Sequence, residues 1–183
     1  TDRSLPFFDA TATSVPFGSL PPMLEGTWAL IIDGDRPGDL LRLPRSGPEE
    51  NLVLYKGTLR LQPTAASGEI RERCTGAAAM ALRASLRDLD PTKRRDRLCE
   101  NLARSLSGVR ITDLEMTDPV LVADTMSIRL SFQAPLPGRR VGSFLLLQPD
   151  FLTWESPTCL PDPTSRETAL GVPIRVETEV EIT

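Results

Sequence analysis

Histidine is absent from the 183-residue sequence. That removes any Ser-His-Asp or Cys-His site confined to this chain, and any histidine-ligated metal. The three cysteines, Cys74, Cys99 and Cys159, match no metal or redox spacing, and an odd number cannot all pair within the chain. They are expected to be buried thiols, with a Cys74–Cys99 bridge left open if the compartment is oxidising. Asp33-Gly34-Asp35-Arg36-Pro37-Gly38-Asp39 sets three aspartates close together, as calcium loops do. It lacks the bidentate glutamate and the flanking helices of an EF-hand. Asp and Gly are also what a tight turn selects, and a turn is the expected role. Glu177, Glu179 and Glu181 alternate. On a strand they share one face, which suits a solvated edge better than a carboxylate pair for glycoside-type hydrolysis. No metal and no cofactor is expected.

The net charge of −4 is unevenly spread. From Glu69 to Arg110 there are ten Lys/Arg against six Asp/Glu, a local +4 that leaves −8 for the rest. No Phe, Tyr or Trp lies between Tyr55 and Phe132 to stack a base, so the basic run is expected to be a solvated arginine-rich helix face, with no nucleic-acid partner. No apolar run approaches the ~18 residues a membrane span needs, and no signal-peptide pattern is present. The chain begins Thr1-Asp2-Arg3. It is expected to be processed or cut from a longer protein, with any export signal upstream.

The elements that would position these residues follow from periodicity. Thr1–Pro22, rich in proline, should be extended, with a strand at Phe7-Phe8 and a turn over Pro16–Pro22. Trp28–Ile32 is continuously apolar, as in a strand buried on both faces, and Leu40–Leu43 could pair with it. Arg45-Ser46-Gly47-Pro48-Glu49-Glu50 is the best linker, dividing residues 1–45 from residues 46–183. Val53, Tyr55, Gly57, Leu59 and Leu61 alternate as the buried side of a strand. Glu69–Cys74 is its expected antiparallel neighbour, with Ile70 and Cys74 inward.

Two helices come next. Thr75 is expected to cap the first, whose apolar face is Ala78, Leu82, Leu86 and Leu89. Asp90-Pro91 opens the second, Leu98, Cys99, Leu102 and Leu106 form its stripe, and Gly108 is the expected stop. Val109/Ile111 and Leu114/Met116 alternate in opposite phases, placing a bulge at Asp113. Met126–Ala134 reads as a strand with one wet face, and Val141–Leu147 as a central strand. Gln148–Thr168 reads as a surface excursion anchored by Phe151 and Trp154, and the last strand ends at Ile182. The predicted class is α+β: a mostly antiparallel sheet, at least six strands in all, with an inserted helical hairpin packed on one face.

Two segments carry a family resemblance. Phe7-Phe8-Asp9-Ala10-Thr11-Ala12, Pro16-Phe17-Gly18-Ser19-Leu20-Pro21-Pro22 and Ala29-Leu30-Ile31-Ile32-Asp33 resemble the end of the catalytic core in bacterial transglutaminase-like proteins, which have a papain-type fold and a Cys-His-Asp triad. Glu72-Arg73-Cys74-Thr75-Gly76, Ala81-Leu82-Arg83 and Leu86, then Val109-Arg110-Ile111-Thr112-Asp113-Leu114-Glu115, resemble the domain that follows that core. The resemblance implies that residues 1–45 are terminal core strands plus linker, and that residues 46–183 are a C-terminal accessory α+β domain. It places Asp9 as the third triad member; by residue type alone, Asp9-x-Thr11 is a local turn cap. The Cys and His would lie upstream of Thr1, so this chain by itself is implied to be non-catalytic. Its implied partners are the rest of its parent chain and a protein substrate or partner, in the periplasm or outside the cell. A different expectation from the same residues is a stand-alone envelope or extracellular interaction module with no enzymatic activity.

Overall fold

The computed structural model describes residues 9–32, 38–142, 144–147 and 172–183. Phe7, Phe8, the tip of the Asp33–Asp39 turn, Phe151, Trp154 and Cys159 lie outside the described residues.

The elements are β1 (Trp28–Ile31), β2 (Asp39–Arg42), β3 (Leu52–Leu61), β4 (Ala65–Thr75), α1 (Gly76–Arg87), α2 (Pro91–Ala103), β5 (Arg110–Met116), β6 (Thr125–Pro135), β7 (Arg139–Val141), β8 (Phe144–Leu146) and β9 (Arg175–Ile182). Five of these strands form the main sheet in the order β5-β6-β4-β3-β9. All its pairings are antiparallel except β3 with β9, which is parallel. The architecture is α+β, as the residue pattern predicts.

The alternation in β3 is realised: Val53 and Leu59 are fully buried, and on β4 Cys74, opposite Val53, and Ile70, opposite Gly57, face the same interior. β4 begins at Ala65, four residues earlier than expected, because only Gln62–Thr64 is needed to turn the chain. Helix α1 packs across β4 and β6, and α2 packs on β5. The core joins Val53, Leu59, Ile70, Leu86, Leu98, Leu106, Met126 and Phe132. Among the described residues, the other face of the sheet carries no helix and is charged.

Capping of α1 differs from expectation. Thr75 makes no side-chain cap; its hydroxyl donates to the Glu50 carbonyl and accepts from the Leu52 amide. The cap comes from Asn51 at the start of β3, whose Oδ1 accepts the Ala77 amide at 2.7 Å. Gly76 permits this approach, since it has φ +55° and a Cβ there would lie 2.3 Å from Asn51 Oδ1. Helix α2 starts as predicted, with the Asp90 carboxylate accepting the Lys93 amide at 2.9 Å and Pro91 at the first position. It ends at Ala103 rather than at Gly108. Turns through Leu106, buried at 1% exposure, carry the chain to Gly108, where φ is +70°. The register of β5 against β6 shifts between Ile111 and Asp113, so the extra residue is Thr112, one position before the expected Asp113.

Three further expectations are corrected. Val141–Leu147 is not a central strand: its residues fall in a separate β7–β8 hairpin, with Val141, Phe144 and Leu146 exposed. Trp28–Ile32 does pair with the second apolar run, but it is not buried on both faces, because nothing among the described residues covers one side of the β1–β2 ribbon. The basic run is not simply a solvated helix face, because several of its arginines bond main-chain carbonyls, as described below.

Candidate functional site

Asp9 lies in the segment that leads to β1. Its Oδ1 accepts the Thr11 amide at 2.9 Å and the Thr11 hydroxyl at 2.6 Å, closing a side-chain turn. Those hydrogen bonds hold the carboxyl below its ordinary pKa. Its other oxygen has no hydrogen bond among the described residues.

The segment after Asp9 is held by two arginines of α1, one turn apart. Arg83 is fully buried. Its Nε donates to the Leu121 carbonyl at 3.1 Å, one Nη to the Ser14 carbonyl at 3.1 Å, and the other Nη to the Ala123 carbonyl. Arg87 donates to the Thr13 carbonyl. Guanidinium is suited to this task because its planar fork offers five donors in fixed directions. Arg94 likewise reaches the Leu86 and Arg87 carbonyls at the end of α1, and Arg95 the Ile111 carbonyl. The sequence signal for Arg83 is its place among alanines and leucines in α1, which marks burial without naming the acceptors.

A second tie crosses residues 45–50. Glu25 accepts the Ser46 amide and hydroxyl, both at 2.8 Å, and Asn51 donates to the Ser46 hydroxyl and the Gly47 carbonyl before capping α1. The segment read as a linker is therefore hydrogen-bonded on both sides.

In chain order the β1–β2 ribbon lies between Glu25 and Ser46, the two partners of this second tie. Trp28 pairs with Arg42 and Leu30 with Leu40, so Trp28, Leu30 and Leu40 share one face. They are 67%, 60% and 69% exposed, and Ile32 beyond them is 80% exposed. Ala29, Ile31 and Leu41 on the opposite face are half-buried. One face of the ribbon is therefore apolar and without cover among the described residues.

The titratable groups inside the sheet do not make a reactive centre. Tyr55 donates to Glu72 Oε1 at 3.1 Å and the Cys74 thiol donates to the same oxygen at 3.4 Å. Burial pushes the Glu72 carboxyl up, and burial together with the Glu72 charge pushes the Cys74 thiol far above its ordinary range. A nucleophilic cysteine needs the reverse, so Cys74 is a structural thiol. Cys99 points its thiol at the Val109 carbonyl, 3.6 Å away, and neither it nor Cys74 is in a disulfide. No group of three or more His, Cys, Asp or Glu able to hold a metal occurs among the described residues, and none of their helices is long and apolar enough to cross a membrane. No family model, curated protein or solved structure matches the chain.

Proposed function

We propose that this chain is a non-catalytic accessory region that docks, through the apolar face of β1–β2, on a larger partner, and that the partner is the papain-type core of its own transglutaminase-like parent. The observation that carries docking is the uncovered row Trp28, Leu30, Ile32 and Leu40. A two-stranded ribbon is marginal in water by itself, and packing its apolar face against a larger body would bury that row. The choice of partner is supported by the two sequence segments that resemble transglutaminase-like proteins, one of which contains β1.

In such a parent, Asp9 would be the third triad member. Thr11 would fix one of its oxygens, and the second oxygen would be left to orient and support an imidazole supplied by the core. The parent would cleave or transfer peptide acyl groups through a cysteine thioester outside the cytoplasm. The chain alone would do neither, since it has no histidine. Reading the gene upstream of Thr1 tests the assignment: a segment bearing Cys and His is expected. Its absence would overturn the transglutaminase parent and favour a stand-alone interaction module using the same face.

A further inference from the structure

The bare face of the five-stranded sheet carries a charge pattern that docking does not use. Lys56, Arg71 and Arg129 stand directly opposite one another on β3, β4 and β6. Like charges abreast on neighbouring strands repel, so the row needs anions around it. Glu69 supplies one, accepting from Arg71 at 2.6 Å and from Arg129 at 2.7 Å. Glu115 and Glu179 sit at the two ends of the row, 3.6 Å from Arg129 and 2.8 Å from Lys56.

Compensation stops one step along β4. Arg73 is exposed, stands opposite Leu54 and Ser127, and makes no hydrogen bond or ion pair among the described residues. Arg71 bonds Glu69 through its Nε alone, which leaves its terminal nitrogens free of bonds within the described residues. Two guanidinium forks two residues apart on one strand, about 7 Å, therefore offer unused donors to the same side. They border a hollow of about 420 Å³ whose rim also includes Lys56, Arg129, Ser127 and Thr117. Of the two carboxyls lining it, Glu115 is on the rim, whereas Glu72 turns its side chain to the opposite face, toward Tyr55. Carboxylates share this face, with Glu69, Glu115 and Glu179 paired to its cations and Glu177 and Glu181 on β9 beyond, so what distinguishes the hollow is the unused donors of Arg73 and Arg71 rather than a net positive charge.

The geometry points to an oxyanion-binding site centred on Arg73 and Arg71, fitted to a small, multiply charged phosphate-type group. Guanidinium forks match the tetrahedral oxygens in bidentate fashion, and the Ser127 hydroxyl and Lys56 ammonium add donors. The hollow, about 420 Å³, is open and more than large enough for such a group. Among the described residues the face carries no aromatic side chain on which a nucleobase could stack, so the recognised element is the oxyanion itself.

Isothermal titration of the full chain with inorganic pyrophosphate, at ionic strength held constant with chloride, tests this. One saturable site is expected. Arg73→Ala should weaken it at least about tenfold, as expected for loss of a bidentate charged contact. Arg104→Ala, an exposed arginine at the end of α2, should leave it unchanged. The thermal midpoint of Arg73→Ala should match that of the parent chain, since the residue holds nothing in the fold. Absence of a saturable site, equal affinity in Arg73→Ala, or tighter binding of a hexaglutamate peptide than of pyrophosphate would each overturn the assignment.

Discussion

Leu30 of β1 and Leu40 of β2 lie directly opposite each other in the ribbon, and both are more than half exposed, at 60% and 69%. The pair is therefore part of an apolar patch left without cover among the described residues. An uncovered apolar patch should make the chain alone self-associate at high concentration in sedimentation velocity, and the double variant Leu30→Ser, Leu40→Ser should reduce that. It should shift stability by no more than about 0.5 kcal/mol, as surface changes do. A large loss of stability would mean that the pair is buried.

The helix-facing core makes a graded prediction. Leu86, 1% exposed, is on the buried face of α1, whereas Leu102 on α2 is only partly buried. Leu86→Ala should cost about 2–5 kcal/mol and Leu102→Ala about 1 kcal/mol, read from denaturant midpoints at constant slope. Equal costs would contradict the packing.

Glu72 gives a pH dependence of definite sign. Burial raises its folded pKa above the ordinary 4.5. Its contribution is therefore complete below about pH 4.5 and is lost as pH rises through the folded value, because the unfolded state ionises first. The lowered carboxyls Asp9, Glu69, Asp90 and Glu179 act in the opposite sense on acidification. The difference between the parent chain and Glu72→Gln isolates the one group. The variant should gain relative stability from pH 4 to pH 8 in thermal melts, and a flat difference would refute the buried carboxyl.

Arg83→Met should strand three carbonyls, those of Ser14, Leu121 and Ala123. Ser14 is half-buried and Leu121 and Ala123 are exposed, so water can replace part of what the guanidinium supplies, and a total loss of about 1–3 kcal/mol is expected. Limited proteolysis should then cut first near Thr13–Ser14. Arg83→Lys should not restore protection, because an ammonium lacks the planar fork.

Local patterns carried most of the fold. The alternation of β3 and β6, the Asp90-Pro91 helix start and the inward Cys74 all depend on neighbours a few residues away, so periodicity reveals them. What sequence reading missed depends on contacts made far along the chain. Asn51 caps α1 from 26 residues away, and Arg83 reaches Ser14 over 69. No local signal names such partners. Apolar runs also say nothing of how much cover is at hand: Trp28–Ile32 and Val141–Leu147 read like interior strands, yet each sits in a separate two-stranded ribbon with exposed side chains. At the candidate site, Asp9-x-Thr11 was legible as a turn. The uncovered row beside it became visible only when β1 and β2 were paired.

The docking claim is tested most directly by the fluorescence of Trp28, with Trp154 changed to Phe so that it is the only indole. It should be measured in the chain alone and in the chain joined to the segment encoded immediately before Thr1. The account predicts water-exposed emission and ready quenching by iodide in the chain alone, then a blue shift and protection from iodide in the joined protein. Identical emission and quenching in the two, or no encoded segment to join, would contradict it.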